Sequence, residues 1–174
     1  RYDGREFVTY AMHDGLVPQL TDPCYREEDT VLSILEDRQG HLWFGTARGA
    51  TRYDGREFAS FSTEEGLGQR VETSGPHALF YREVCSMLED RQGRLWFGLD
   101  GGGGSRDDGR EFATFTMADG LVGNLVASMA EDRQGNLWFG SWNGLSQYDG
   151  REFASFTTAD GLANDFVAVI RQDR

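Results

Sequence analysis

The sequence is short of proline, cysteine and histidine, and it has no long hydrophobic run. Its 174 residues include 3 prolines, 2 cysteines and 3 histidines. No apolar stretch approaches the roughly 18 residues of a membrane-spanning helix, so we expect no segment of this sequence to span a bilayer. The first residue is Arg1 and no basic, apolar leader follows it. This start predicts a stretch that lies inside a longer gene or polypeptide.

Positive charge is also scarce. The chain has 17 Lys and Arg against 29 Asp and Glu, which gives a net charge of -12 at pH 7. Nucleic acid is therefore excluded as a partner, because phosphate binding needs a clustered cationic surface. Anionic ligands are disfavoured too, unless Arg26, Arg48 and Arg82 converge. Glycine is abundant, with 23 residues, and 13% of the chain is aromatic. Such a composition favours short strands joined by tight glycine turns.

Internal repeats organise the whole chain. The string DGREF occurs four times and EDRQG three times, and LWFG follows each EDRQG after one further residue. The DGREF copies begin at Asp3, Asp54, Asp108 and Asp149, and the EDRQG copies at Glu36, Glu89 and Glu131. A unit of about 42 residues with several short strands is the size of one propeller blade.

Each repeat is predicted to form four strands, A to D. In the third full copy these cover 126–131, 137–141, 145–148 and 153–157, with turns at 132–135 and 149–152. An Asp that opens a turn can accept from a backbone amide, and Gly supplies a positive φ, so both turns are predicted to be hairpins. Phe153 and Phe156 are three residues apart, which breaks the period of two and suggests a bulge or a strand end.

Repeated aromatic residues in strand B are predicted to pack between neighbouring repeats. They are Trp43, Trp96 and Trp138, followed by Phe44, Phe97 and Phe139. The Asp-x-x-Gly turns lack the alternating oxygen ligands and the terminal bidentate Glu of a calcium loop. We therefore expect no metal and no cofactor.

Residues 35–67 carry a family resemblance. Their acidic Asp-x-x-Gly turn, LWFGT, RYD and a following Phe are similar to the two-component regulator propeller repeat. The resemblance implies an all-β fold: a β-propeller of four-stranded antiparallel blades that forms a partial ring. It also implies an extracytoplasmic sensor region, periplasmic or extracellular, of a type that often detects oligosaccharides in hybrid histidine kinases. The motifs predict the fold, but they say little about which ligand the protein binds.

The chain is predicted to be one partial propeller domain, 1–174. Its blades cover 31–67, 84–121 and 126–162, with insertions at 17–30 and 68–83. Residues 1–16 supply strand D and a remnant of strand C of a split blade, and 163–174 supply its strand A. Three blades do not readily close a ring, and unpaired edges invite another chain. The prediction is either a fragment of a longer propeller or a second copy that completes about eight blade positions.

The second full repeat departs from the others. It has four glycines at 101–104 and Asp107 where the other repeats have Tyr53 and Tyr148. Glycine contributes no side-chain packing and loses backbone entropy on folding, so its strand C is predicted to be weak or irregular. Such a run fits an engineered linker or a degenerate natural repeat equally well.

Function is predicted on the face where the repeats differ. The A–B and C–D turns share one face, whereas the long D-to-A connections and the B–C loops share the other. Variable loops on a uniform scaffold commonly carry binding residues, and rings with Arg and Asn suit sugars. The candidate ligand-binding residues are Tyr25, Arg26, Arg48, His77, Tyr81, Arg82, Asp100, Trp142 and Asn143. Cys24 and Phe80 lie in the same loops.

Two functional hypotheses follow. One is a non-catalytic propeller that senses a glycan-type ligand, and the other is a structural or protein-interaction propeller without a small ligand. No catalysis is expected, because His77 is the one histidine of the insertions and no nucleophile or acid-base pair accompanies it. Cys24 and Cys85 could pair in an oxidising compartment or remain free thiols.

Overall fold

The computed structural model describes residues 30–62, 66–68 and 83–172. Within them the chain forms twelve β-strands and two short 3-10 helices. The strands are β1 (Val31–Glu36), β2 (Leu42–Thr46), β3 (Gly49–Tyr53), β4 (Phe58–Phe61), β5 (Val84–Glu89), β6 (Leu95–Leu99), β7 (Gly103–Asp107), β8 (Phe112–Phe115), β9 (Val126–Glu131), β10 (Leu137–Ser141), β11 (Gly144–Tyr148) and β12 (Phe153–Phe156). The helices cover Met117–Asp119 and Thr158–Asp160.

The strands form three four-stranded antiparallel sheets in chain order. We call them blade 1 (β1–β4), blade 2 (β5–β8) and blade 3 (β9–β12). The strands in position A, β1, β5 and β9, lie next to one another from blade to blade. The all-β fold of four-stranded antiparallel blades, predicted from the repeats, is confirmed.

Both kinds of turn are held by an aspartate, as predicted. In the C–D turns, Asp54 Oδ1 accepts from the backbone N–H groups of Arg56 and Glu57, at 2.8 and 3.0 Å. In the A–B turns the aspartate does more, because its second oxygen accepts from an indole N–H in strand B. Asp37 Oδ2 accepts a hydrogen bond from Trp43 Nε1 at 2.8 Å. Asp90 accepts from Trp96 in blade 2, and Asp132 accepts from Trp138 in blade 3. Each A–B turn is therefore tied to the core of its blade.

The strand B tryptophans pack both within and between blades. Trp96 stacks on Phe115 of its own blade at 5.6 Å between ring centroids and meets Phe139 of blade 3 edge-on at 5.7 Å. Trp43 makes the same pair of contacts with Phe61 and Phe97. The predicted packing between neighbouring repeats is confirmed at these two interfaces.

A glycine in strand B lets the next blade approach closely. A Cβ placed on Gly98 would stand 2.6 Å from the carbonyl oxygen of Val126, the first residue of β9. Gly45 faces Val84 in the same way, and Gly140 faces Val167. We call these three contacts the glycine seam. A side chain at such a glycine would push two backbones apart.

Residues 163–172 continue this pattern beyond blade 3. The backbone N–H of Val167 donates to Ser141 O at 2.8 Å. With its amide oriented to satisfy both neighbours, Gln172 accepts from the N–H of Arg133 at 3.2 Å. In blade 3 the side chain of Glu131, at the end of strand A, accepts from the backbone N–H of Arg91 in the same way, at 2.9 Å. The segment thus makes contacts typical of strand A, although no strand is assigned to it, and its role in a split blade stays a prediction.

The prediction of a weak strand C in blade 2 is wrong. β7 pairs continuously with β6 and β8. Glycine is used here for close packing: a Cβ on Gly104 would lie 3.3 Å from the ring of Phe139 in blade 3. Gly103 has a φ of +77°, which favours glycine. Interblade contacts therefore compensate for the poor strand propensity.

We expect the fold to lose stability as the pH falls from about 4 towards 2. Burial acts to raise the pKa of Asp132, but hydrogen bonds from Trp138, Asn136 and the turn backbone outweigh it and hold the pKa at about 2. The pKa values of Asp37 and Asp90 are likewise lowered, since hydrogen bonds from the indoles and other turn groups outweigh their burial. An aspartate in the unfolded chain titrates near pH 3.9. A lowered folded-state pKa gives stability that is present above that value and lost below it.

Urea denaturation followed by circular dichroism between pH 6 and pH 2 measures this loss. The matched variant Asp132→Asn removes one titrating group and should show a shallower pH dependence. Stability that stays constant down to pH 2 would contradict the prediction.

Candidate functional site

The loops that differ between repeats lie at one end of the blades. Because the strands of each blade alternate in direction, the B–C loops and the D-to-A connections emerge together. We call this end the loop-rich face. Its described parts include the B–C loops at 47–48, 100–102 and 142–143 and parts of the D-to-A connections at 66–68, 121–125 and 162–166.

In blade 3 the loop-rich face presents an exposed aromatic pair. Trp142 is 60% exposed and Phe166 is 53% exposed. Their rings meet edge-on with centroids 5.7 Å apart. Asn143 is exposed beside them, and its backbone N–H donates to Ser141 Oγ at 3.1 Å. Gly123 packs tightly against this loop, since a Cβ there would lie 2.9 Å from Asn143 Oδ1. The aromatic pair therefore stands on a well-held loop.

The candidates on the other two blades are more enclosed. Arg48 is only 6% exposed, and its N–H donates to Thr46 Oγ1 at 3.1 Å. Asp100 is half-buried, and burial raises the pKa of its carboxyl group. Its backbone N–H donates to Glu83 O at 3.0 Å. These two side chains offer less surface to a ligand than Trp142 does.

Cys85 lies beside Asp100 and is a free thiol. Burial, followed by the negative charges of Asp100 and Glu83, raises its pKa to about 11. At neutral pH the sulfur is therefore protonated and a poor nucleophile. Within the described residues, no group of three or more His, Cys, Asp and Glu side chains is placed to hold a metal ion.

Five of the nine predicted site residues lie outside the described residues. They are Tyr25, Arg26, His77, Tyr81 and Arg82, and Cys24 and Phe80 lie outside as well. The structure brings Trp142 and Asn143 together on one loop and puts Arg48 and Asp100 on the loops of other blades. Sequence reasoning missed Phe166. Its position just before Val167 matches that of Leu125 before Val126, and this alignment was the signal that could have found it.

A model of the two-component regulator propeller family matches residues 26–48, 78–101 and 120–143. Each match covers strands A and B of one blade. Each of the three blades thus contains one stretch that matches the two-component regulator propeller repeat.

Solved structures with similar propeller folds come from several bacteria. The chain resembles the extracellular domain of a protein assigned to a hybrid two-component system of B. thetaiotaomicron, with 23% identity and a TM-score of 0.61 over 79% of this chain and 18% of that one. A second extracellular domain from B. thetaiotaomicron, assigned to a one-component system, gives 23% identity and a TM-score of 0.64 over 84% and 19%. The chain thus spans about a fifth of the length of these propeller structures.

An enzyme shares the architecture. Virginiamycin B lyase from Staphylococcus aureus has 16% identity and a TM-score of 0.52 over 79% of this chain and 43% of that one. At such identities the likeness concerns the fold, and a propeller fold by itself is compatible with both sensing and catalysis. No curated protein sequence matches this propeller chain.

None of the helices in the described part of the propeller chain has the length and apolar character needed to cross a membrane.

Proposed function

We propose that this chain is part of a non-catalytic sensor propeller that binds a glycan-type ligand on its loop-rich face. The observation that carries the proposal is the exposed pair of Trp142 and Phe166 beside Asn143. Aromatic rings cover the apolar faces of sugar rings, and an amide can bond to hydroxyl groups. Large exposed aromatic side chains in contact with each other are typical of binding surfaces.

The similar solved structures support a location outside the cytoplasm. Two of them are extracellular domains of bacterial signalling systems. We therefore propose that this propeller lies in the periplasm or outside the cell. The two insertions, 17–30 and 68–83, would add Tyr25, Arg26, His77, Tyr81 and Arg82 to the same face.

Replacing Trp142 by alanine is expected to weaken binding of an oligosaccharide ligand about tenfold, which corresponds to about 1.4 kcal/mol. The variant removes an exposed ring, so the fold should be kept. The double variant Trp142→Ala, Arg82→Ala is expected to abolish binding. Screening an oligosaccharide library and then measuring calorimetric titrations with the best ligand tests both variants.

Arg151→Ala is the matched control, because Arg151 is exposed on a C–D turn at the opposite end of the blades. It should bind as the unchanged chain does. If the unchanged chain binds no oligosaccharide, or if Trp142→Ala binds as well as Arg151→Ala, the glycan proposal is wrong.

The second candidate function is a structural or protein-interaction propeller. The open flanks of the blades favour it: Ile34 on β1 is 65% exposed and Leu32 is 41% exposed, whereas their counterparts in β5 are better covered. Such a flank would pack against the rest of a longer propeller or against a second copy that completes a ring of about eight blade positions. Light scattering tests whether a second copy completes the ring, because a dimer has twice the mass of the single chain.

A further inference from the structure

A cavity of about 520 Å³ lies between blades 1 and 2, at the end opposite the loop-rich face. The A–B and C–D turns surround its mouth. Its size suits a small organic ligand. Its lining includes Trp43, Arg52, Phe61, Asp107, Arg110 and Phe112.

A single change in the repeat opens part of this space. Asp107 ends β7 and pairs with Leu95, just as Tyr148 ends β11 and pairs with Leu137. Tyr148 is only 7% exposed, because its ring fills the matching position between blades 2 and 3. Aspartate is too short to fill it. The part of the cavity beside Asp107 is therefore the position that a tyrosine ring occupies in the next interface.

The rings that would surround such an aromatic group are already in place. Tyr148 stacks on Phe153 at 4.6 Å and contacts Phe115 at 5.5 Å and Trp96 at 6.0 Å. The repeats match these three residues with Phe112, Phe61 and Trp43, and all three line the cavity. Phe61 and Phe112 lie edge-to-face at 6.2 Å and remain partly exposed. An apolar wall shaped for one more aromatic ring thus faces solvent.

The polar part of the lining is acidic. Five carboxylates line the cavity against two guanidinium groups, those of Arg52 and Arg110. Asp107 Oδ1 accepts from the N–H of Gly109 at 2.7 Å, and its Oδ2 makes no hydrogen bond within the described residues. The lining therefore favours a cation next to the ring.

The guanidinium of Arg52 lies over the Trp43 ring at 5.9 Å. Its Nε is buried without a hydrogen-bond partner in the described part of the chain. Arg106 has the same unpartnered Nε in blade 2, so this feature belongs to the repeat and does not distinguish the cavity. What distinguishes it is Asp107.

We propose that this cavity binds a small aromatic amine, with its ring in the space that Tyr148 fills in the next interface and its ammonium group at the Asp107 carboxylate. The site is separate from the loop-rich face, so the inference does not rest on the proposed function. Ring burial supplies the attraction, and the carboxylates select a protonated amine over a neutral or anionic ring.

Tyramine is the probe. The control compound is 4-ethylphenol, which has the same ring and two-carbon chain but no amino group. In calorimetric or NMR titrations at pH 7, tyramine is expected to bind about tenfold more tightly than 4-ethylphenol. Asp107→Tyr, which installs the residue found in the other repeats, should remove tyramine binding while keeping or raising the melting temperature. Asp107→Ala keeps the space open but removes the carboxylate that pairs with the ammonium group, so it should lose most of the preference for tyramine over 4-ethylphenol.

Trp142→Ala serves as the control for the other face and should leave tyramine binding unchanged. Loss of glycan binding in Trp142→Ala with intact tyramine binding separates the two sites. The inference is overturned if millimolar tyramine does not bind, if 4-ethylphenol binds as tightly as tyramine, or if folded Asp107→Tyr still binds tyramine. Asp107→Phe provides a second filled variant if the tyrosine variant does not fold.

Discussion

Replacing Asp90 by alanine is expected to lower the free energy of unfolding by about 3–5 kcal/mol. Asp90 is fully buried. Its Oδ1 accepts from the N–H groups of Gln92 and Arg94, both at 2.9 Å. Its Oδ2 accepts from Trp96 Nε1 at 2.8 Å and from Arg94 Nε at 2.6 Å. Alanine would leave the buried indole N–H of Trp96 without its acceptor, and it would also remove the acceptor of two turn N–H groups and of the partly exposed Arg94 guanidinium.

The chain contains its own control for this substitution. Asp132 accepts from Gln134, Asn136 and Trp138 in the same pattern. It is less buried than Asp90, and Trp138 is less buried than Trp96, so water can replace the lost acceptor. We expect Asp132→Ala to cost about 1 kcal/mol. Urea denaturation of both variants measures the difference, and equal losses would show that burial does not set the cost.

Replacing Gly98 by alanine is expected to lower the free energy of unfolding by about 3 kcal/mol. The added Cβ would stand 2.6 Å from Val126 O and 2.8 Å from Val126 Cγ1, and it would also clash with Ser86 Oγ. The carbonyl belongs to the backbone of blade 3, so it cannot rotate away. Relief requires blades 2 and 3 to separate, which would disturb the packing of Trp96 against Phe139.

Gly104→Ala is the matched control, because its Cβ would meet only the edge of the Phe139 ring, at 3.3 Å. A ring can shift by a few tenths of an ångström, so this variant should lose less than half as much stability. Gly45→Ala repeats the seam contact between blades 1 and 2 and should behave like Gly98→Ala. Thermal melts and urea titrations of the three variants give the ranking, and a Gly104 variant as unstable as the Gly98 variant would refute the argument.

The regular parts of this fold could be predicted because each signal is local and recurs. The Asp and Gly of the DGRE turns act within four residues, and the strand B aromatic pair alternates between the two sides of a sheet. The prediction for strand C of blade 2 was wrong because Gly104 packs against Phe139, which belongs to another blade. Propensity describes a residue in its own strand and carries no information about a ring that packs on it from elsewhere.

The candidate site was less predictable for the same reason. The sequence places Arg48 on a B–C loop but does not show that its side chain is 6% exposed. The change from Tyr148 to Asp107 is visible in the repeats, yet its result depends on three rings from two blades. Phe166 became a candidate only once its ring was found beside Trp142. Burial and convergence are properties of the packed blades.

The glycine seam also determines how stability is shared along the molecule. Each contact of the glycine seam joins one blade only to the element that follows it. The described blades therefore behave as a linear array with nearest-neighbour coupling. Blade 2 takes part in two of the three contacts, through Val84 and through Gly98. Damage to blade 2 therefore uncouples both of its neighbours at once, whereas damage at Gly140 removes only the contact to the segment that follows.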